Sequence, residues 1–124
     1  MTPALITIIQ LILALGLLNV WLIRFNKATP FRGGSAKNMG EEFAAYGLPP
    51  KFVYFVGSLK VLCAVALIAG LWFSLLVVPA SAIILGLMVG AVFMHLRVRD
   101  PLIKSVPALF MLVLSLGLLI FSIQ

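Results

Sequence analysis

The stretch that decides the fold runs from Phe52 to Phe73, FVYFVGSLKVLCAVALIAGLWF, with Lys60 its single charged residue. A hydrocarbon core takes about 20 apolar residues as one helical crossing, and this run has that length. Three further runs match it. The first is Pro3 to Ile23, without charge and with Asn19 as its main polar residue; the others are about Val77 to Leu96, closing on His95-Leu96, and about Leu102 to Gln124, with Lys104 at its start. Membrane barrels instead use ~10-residue alternating segments, so strands are the poorer reading. The expectation is an all-α, integral membrane four-helix bundle forming one domain over residues 1–124. Its spans are about 3–23, 52–73, 77–96 and 102–123, and its polar loops are 24–51 and 97–101.

Composition agrees. Hydrophobic residues make up 64% of the chain and charged residues 10%, against ~25% charged in an ordinary globular protein. A mean hydropathy of +1.26 cannot be hidden inside a 13.4 kDa particle, so the excess must face lipid. The net charge of +6 does not indicate nucleic acid, because the cations sit between apolar runs rather than on one soluble face. Cys63 is the only cysteine and reads as a small apolar core residue.

The placement of the cations predicts the topology. Arg24, Lys27, Arg32, Lys37 and Lys51 lie between spans one and two, and Arg97, Arg99 and Lys104 lie between spans three and four. Both basic loops fall on one side, which the positive-inside rule makes cytoplasmic, with both termini outside. The first run has no basic residues before it and exceeds an h-region in length, so it reads as a span rather than a cleaved signal. The expected location is the cell membrane of a prokaryote. Trp21 and Trp72 near span ends, with Tyr54, are expected to anchor at headgroup level.

Within loop 24–51, Ser35 reads as an N-cap and Gly47-Leu48-Pro49-Pro50 as a stop. Ala36, Met39, Phe43 and Tyr46 recur at helical spacing, which predicts a short amphipathic interfacial helix. Lys37 and Glu41 are spaced for a surface pair. Glu41 and Glu42 are adjacent and diverge, a poor arrangement for paired acid–base chemistry.

Lys60 is the most informative polar position. It lies roughly 12 Å along its helix at 1.5 Å per residue, where an ammonium costs about 2.5 to 3.5 kcal/mol to insert. Gly57, Cys63 and Ala64 share its face and are small, as close helix packing favours. His95 has a reference pKa near neutrality (~6.5), so a proton or hydrogen-bond role is open to it; an interfacial histidine bonded to water or backbone is the alternative. Asp100-Pro101 fits an N-cap and first helical proline, with Arg97 or Arg99 as candidate partners of the carboxylate. Pro107 predicts a modest bend. Gly86 and Gly90, after Ala82, form a small-residue stripe for helix packing. No nucleophile elbow, nucleotide fingerprint or zinc-protease motif is present, and no metal site is expected.

Taken in order, Phe43-x-x-Tyr46-Gly47-Leu48-Pro49-Pro50, Val56-Gly57-x-Leu59-Lys60-Val61-Leu62, Gly70-Leu71-Trp72 and Gly90-Ala91-x-x-x-His95-Leu96-Arg97-x-x-Asp100 with Pro107-Ala108 resemble the DoxX-like family of small membrane proteins. The resemblance implies a four-helix membrane bundle. It also implies a site at Lys60, His95, Arg97 and Asp100; the family takes its name from a subunit of a thiosulfate:quinone oxidoreductase, and this chain shows no thiol pair or cofactor motif that would carry such a reaction alone.

Residues and resemblance together suggest a non-catalytic subunit or accessory protein whose bundle holds a quinone- or lipid-like molecule, with Lys60, His95, Arg97, Asp100 and Asn19 as its polar groups. The alternatives are an assembly partner with the Gly86/Gly90 stripe as its interface, and a small transporter or proton pathway, with Gly57 and Ala64 as further helix-packing positions. The expected partners are membrane lipid and either further copies of the chain or another membrane subunit, with no nucleic acid.

Overall fold

A computed structural model describes residues 3–123, so Gln124, the last residue of the fourth apolar run, lies outside the described part. All regular structure among the described residues is helical. Helix α1 (Pro3–Leu18) continues into a π-helical turn over Asn19–Ile23. Helix α2 (Met39–Ala45) is short, and α3 covers Pro50–Ala69. Helix α4 (Val77–Arg97) follows a 3-10 turn at Ser74–Leu76, and α5 (Val106–Ser122) follows another at Leu102–Ser105. Four continuous helical segments, Pro3–Ile23, Pro50–Ala69, Ser74–Arg97 and Leu102–Ser122, are long and apolar enough to cross a membrane.

The four long helices form a square. α1 packs on α3 and α5, and α4 packs on the same two, so α1 and α4 face one another across the middle. The core of the half away from the loops is dense. Leu13, Ala14 and Leu17 of α1 meet Ala64 and Leu67 of α3, Ile84 and Met88 of α4 and Leu118 of α5, all buried. Polar side chains in this half bond inward: Gln10 donates to the Leu67 carbonyl at 2.6 Å, and the Ser81 hydroxyl to that of Val77 at 2.7 Å. Each satisfies a group that hydrocarbon cannot. The outer faces keep Ile8, Leu15, Leu62, Phe93, Phe110 and Val113 exposed, as lipid-facing positions require.

The loop segment differs from the sequence expectation in three ways. Helix α2 starts after Asn38, not Ser35, because the Asn38 carboxamide accepts the Glu41 N–H at 2.8 Å. That carboxamide also donates to the Glu41 carboxylate, so Glu41 pairs with Asn38 rather than with Lys37. The helix stops at Gly47, whose φ of +77° is natural for glycine, and Pro50 opens α3 at its first turn.

Third, the apolar side of α2 is turned onto the bundle. Met39 and Phe43 form a second buried cluster with Val53 and Trp21. Trp21 is therefore not a headgroup anchor: it is 6% exposed, because α2 folds back over the end of α1 and covers the ring. Trp72 and Tyr54, by contrast, are 74% and 73% exposed.

The α4–α5 junction differs as well. Pro101, not Asp100, caps the 3-10 turn, and Pro107 lies in the first turn of α5, where it starts the helix instead of bending it.

Candidate functional site

The site lies at the end of the bundle that carries loop 24–51. Its foundation is Arg32, only 4% exposed although it sits in a loop. Its guanidinium donates to the carbonyls of Arg24, Phe25 and Lys27, closing the C-terminal end of the α1 segment, where a cation is favoured. It also forms a 3.0 Å ion pair with Glu42. The Glu42 carboxylate accepts the Gly33 N–H and the Tyr46 hydroxyl as well, each at 3.0 Å. The loop and α2 are thus fastened together by one buried pair whose carboxylate holds two further hydrogen bonds.

A second pair closes the opposite side. Helix α4 ends in a backbone reversal at Arg99, φ +59°, with the Asp100 N–H bonded to the His95 carbonyl and the Arg99 N–H to that of Leu96. That reversal brings the Asp100 carboxylate to His95 Nδ1 at 2.8 Å. The Gly34 N–H donates to the other carboxylate oxygen at 3.0 Å, and Lys104 lies 3.9 Å from it while donating to the Gly34 carbonyl. Burial pushes the Asp100 carboxyl up, but the bonds from His95 and Gly34 and the charges of His95 and Lys104 outweigh it and hold the group below its usual range. Arg97 is exposed and outside this cluster, and Arg99 does not pair with Asp100.

Tyr46 joins the two pairs. Its hydroxyl lies 3.0 Å from Glu42 and 3.3 Å from His95 Nε2, and its ring stands edge-on to the imidazole. Burial first, and the Glu42 carboxylate second, push the phenol well above its ordinary range, so it keeps its proton. One hydroxyl proton cannot serve two acceptors. When Tyr46 donates to Glu42, His95 must donate from Nε2 as well as Nδ1; when His95 carries only the Nδ1 proton, Tyr46 must turn to it. The arrangement Arg32–Glu42–Tyr46–His95–Asp100–Lys104 therefore has two consistent proton placements.

Below this network lies a cavity of about 650 Å³, walled by all four spans and roofed by the loop and α2. Asn19, Trp21, Lys60 and His95 all line it. The Lys60 ammonium stands 5.2 Å from the centroid of the Trp21 ring, within cation–π range. Among the described residues it makes no ion pair and no hydrogen bond. Asn19, in the π-helical turn, likewise makes no side-chain bond and faces the space.

The small residues divide. Gly57 and Ala64 are buried, and a Cβ on Gly57 would collide with the Trp21 ring. Gly86 and Gly90 line the cavity, and a Cβ on either would meet no atom within 4 Å. Within this chain that stripe leaves a gap between helices. Among the described residues no three His, Cys, Asp or Glu side chains gather as a metal site would require.

Lys60, His95, Asp100 and Asn19 are legible as site residues in the sequence, whereas Arg32, Glu42, Tyr46 and Lys104 are not. A signal was present for two of these. Met39, Glu42 and Tyr46 repeat at helical spacing, so Glu42 shares the face that the apolar residues bury.

The sequence profile of the DoxX-like family matches residues 8–118, most of the chain. No curated protein and no solved structure matches it.

Proposed function

Because the chain belongs to the DoxX-like family and is a multi-pass membrane protein, we propose that it is a non-catalytic membrane subunit or accessory protein whose bundle holds a hydrophobic, oxygen-bearing molecule of the quinone or lipid class. One observation carries the reading: a cavity of about 650 Å³ among four spans has the Lys60 ammonium on its wall with no acceptor from the protein. Small-molecule sites fall at roughly 300 to 1,000 Å³ and combine apolar walls with a few polar groups. Lys60 is the donor for the ligand's oxygen, and Asn19 and His95 are further polar groups on the same wall. The network above them braces the roof.

The basic loops at 24–51 and 97–101 set the orientation, with the roofed end in the cytoplasm of the cell that carries the protein in its plasma membrane. Ligand then reaches the site from the inner leaflet or from a neighbouring subunit. Native mass spectrometry of the gently solubilised protein tests this. A retained small molecule that is lost in Lys60→Met is the expected result. An empty wild-type bundle, with added quinones and lipids also failing to bind, overturns it.

A further inference from the structure

The cations around the cavity are unequally committed. Arg32 is spent on Glu42 and on backbone carbonyls, and Lys104 on Asp100 and the Gly34 carbonyl. The chain has three carboxylate side chains, and each is engaged by another residue: Glu41 by Asn38, Glu42 by Arg32, Asp100 by His95. No carboxylate stands within ion-pair distance of Lys60: the Glu42 charge, already paired with Arg32, reaches it only through space, and the ammonium lies over the Trp21 ring. Arg24, also on the cavity wall, is exposed and has no side-chain partner among the described residues.

A charged amine in an apolar cavity calls for a counter-charge, because burial without one is costly. A neutral carbonyl would accept a bond and leave that charge uncompensated. A phosphate monoester would bring about −1.5 to −2, which would need Arg24 as well as Lys60, and Arg24 is exposed rather than buried beside the ammonium. An ionised carboxylate matches it in charge and in hydrogen bonding. The part of the wall formed by Leu17, Met88, Ala108 and Met111 suits a hydrocarbon chain.

Resting on the binding role proposed above, we infer that the ligand is a single-chain amphiphile with an ionised carboxylate, its head on the Lys60 ammonium and its chain along the wall formed by α1, α4 and α5.

Trp21 supplies the probe. In Trp72→Phe protein it is the only tryptophan, and a bromine-bearing chain in the cavity quenches it. Dibromostearate is expected to quench Trp21 saturably. Its methyl ester, equal in chain and lacking the charge, should need at least about tenfold more, as should dibromostearate with Lys60→Met; Lys60→Arg should restore binding. The acid-against-ester comparison uses no Lys60 variant, so it stands even if Lys60→Met fails to fold. Equal quenching by acid and ester overturns the carboxylate assignment and leaves the cavity reading intact. Displacement of the ester by decylubiquinone but not by stearate does the same and favours a neutral quinone. Absence of binding by any of the three probes removes both proposals together.

Discussion

Two atoms of the Trp21 ring lie 2.7 Å from the point where a Cβ on Gly57 would stand. The absent side chain is what lets the indole lie against α3, one helical turn from Lys60, and so meet the ammonium. The ring cannot step aside, because Phe25 and Phe43 pack on it with centroids 6.0 Å away. Gly57→Leu is therefore expected to destabilise the protein by about 1 to 3 kcal/mol, the usual range for overpacking. Thermal unfolding in detergent measures the loss, and Trp21 emission in Trp72→Phe protein should shift with it. Unchanged stability and emission would mean that the indole is held elsewhere.

The same substitution at Gly86 has the opposite sign. Space is open in front of that residue, and leucine is the better helix former by roughly 1 kcal/mol. Gly86→Leu should leave thermal stability equal or raised while displacing whatever the cavity holds, read as lost ligand retention in native mass spectrometry. A fall in stability comparable to that of Gly57→Leu would place another protein surface against the stripe.

The contrast between these glycines explains how far the sequence could be read. Four apolar runs of membrane length leave one fold class, and that much follows from hydropathy alone. Lys60 stood out because hydrocarbon makes any ammonium conspicuous. The loop was opaque for the opposite reason: in water an arginine, a glutamate and a tyrosine are ordinary. Only the backbone fold that buries Arg32 and Glu42 turns them into a brace. Asp-Pro at 100–101 fits a helix cap locally, whereas the reversal at Arg99 sends the Asp100 carboxylate back to His95. Gly57 and Gly86 look alike in sequence, and only the neighbour across the bundle separates them.

Tyr46 joins the Glu42 and His95 pairs through one hydroxyl, so Tyr46→Phe removes both links and keeps the ring. The expected cost is about 1 to 3 kcal/mol, since buried partners lose a hydrogen bond. The loop should loosen first, and trypsin should cut at Arg32 and Lys37 faster than in wild type. The phenol also carries a pH signature. Its folded pKa lies above the usual 10.0, so its contribution is complete below about pH 10 and is lost as pH rises through the folded value. In Tyr54→Phe protein, whose only tyrosine is Tyr46, folded samples should develop no phenolate absorbance near pH 10. Ordinary phenolate formation there would contradict the buried position.

Asp100 has the mirror-image dependence. Its carboxyl is held below the usual 3.8 in the fold, so stability drawn from it is fully present above that value and is lost as pH falls through the lower, folded one. Asp100→Asn removes the charge while keeping the shape, leaving Nδ1 of His95 and the Lys104 ammonium with a weaker partner. At neutral pH the variant should unfold more easily by about 1 to 3 kcal/mol. The difference should hold as the pH is lowered to about 5 and narrow below about 4, as the wild-type carboxylate takes up its proton. Unfolding midpoints of the two proteins, compared from neutral to acid pH in a non-titrating detergent, measure this. A gap that stays constant to the acid limit would mean that the 2.8 Å contact between His95 and Asp100 contributes through shape alone. The anchoring of the α4 end to the Gly34 loop would then rest on the neutral hydrogen bonds.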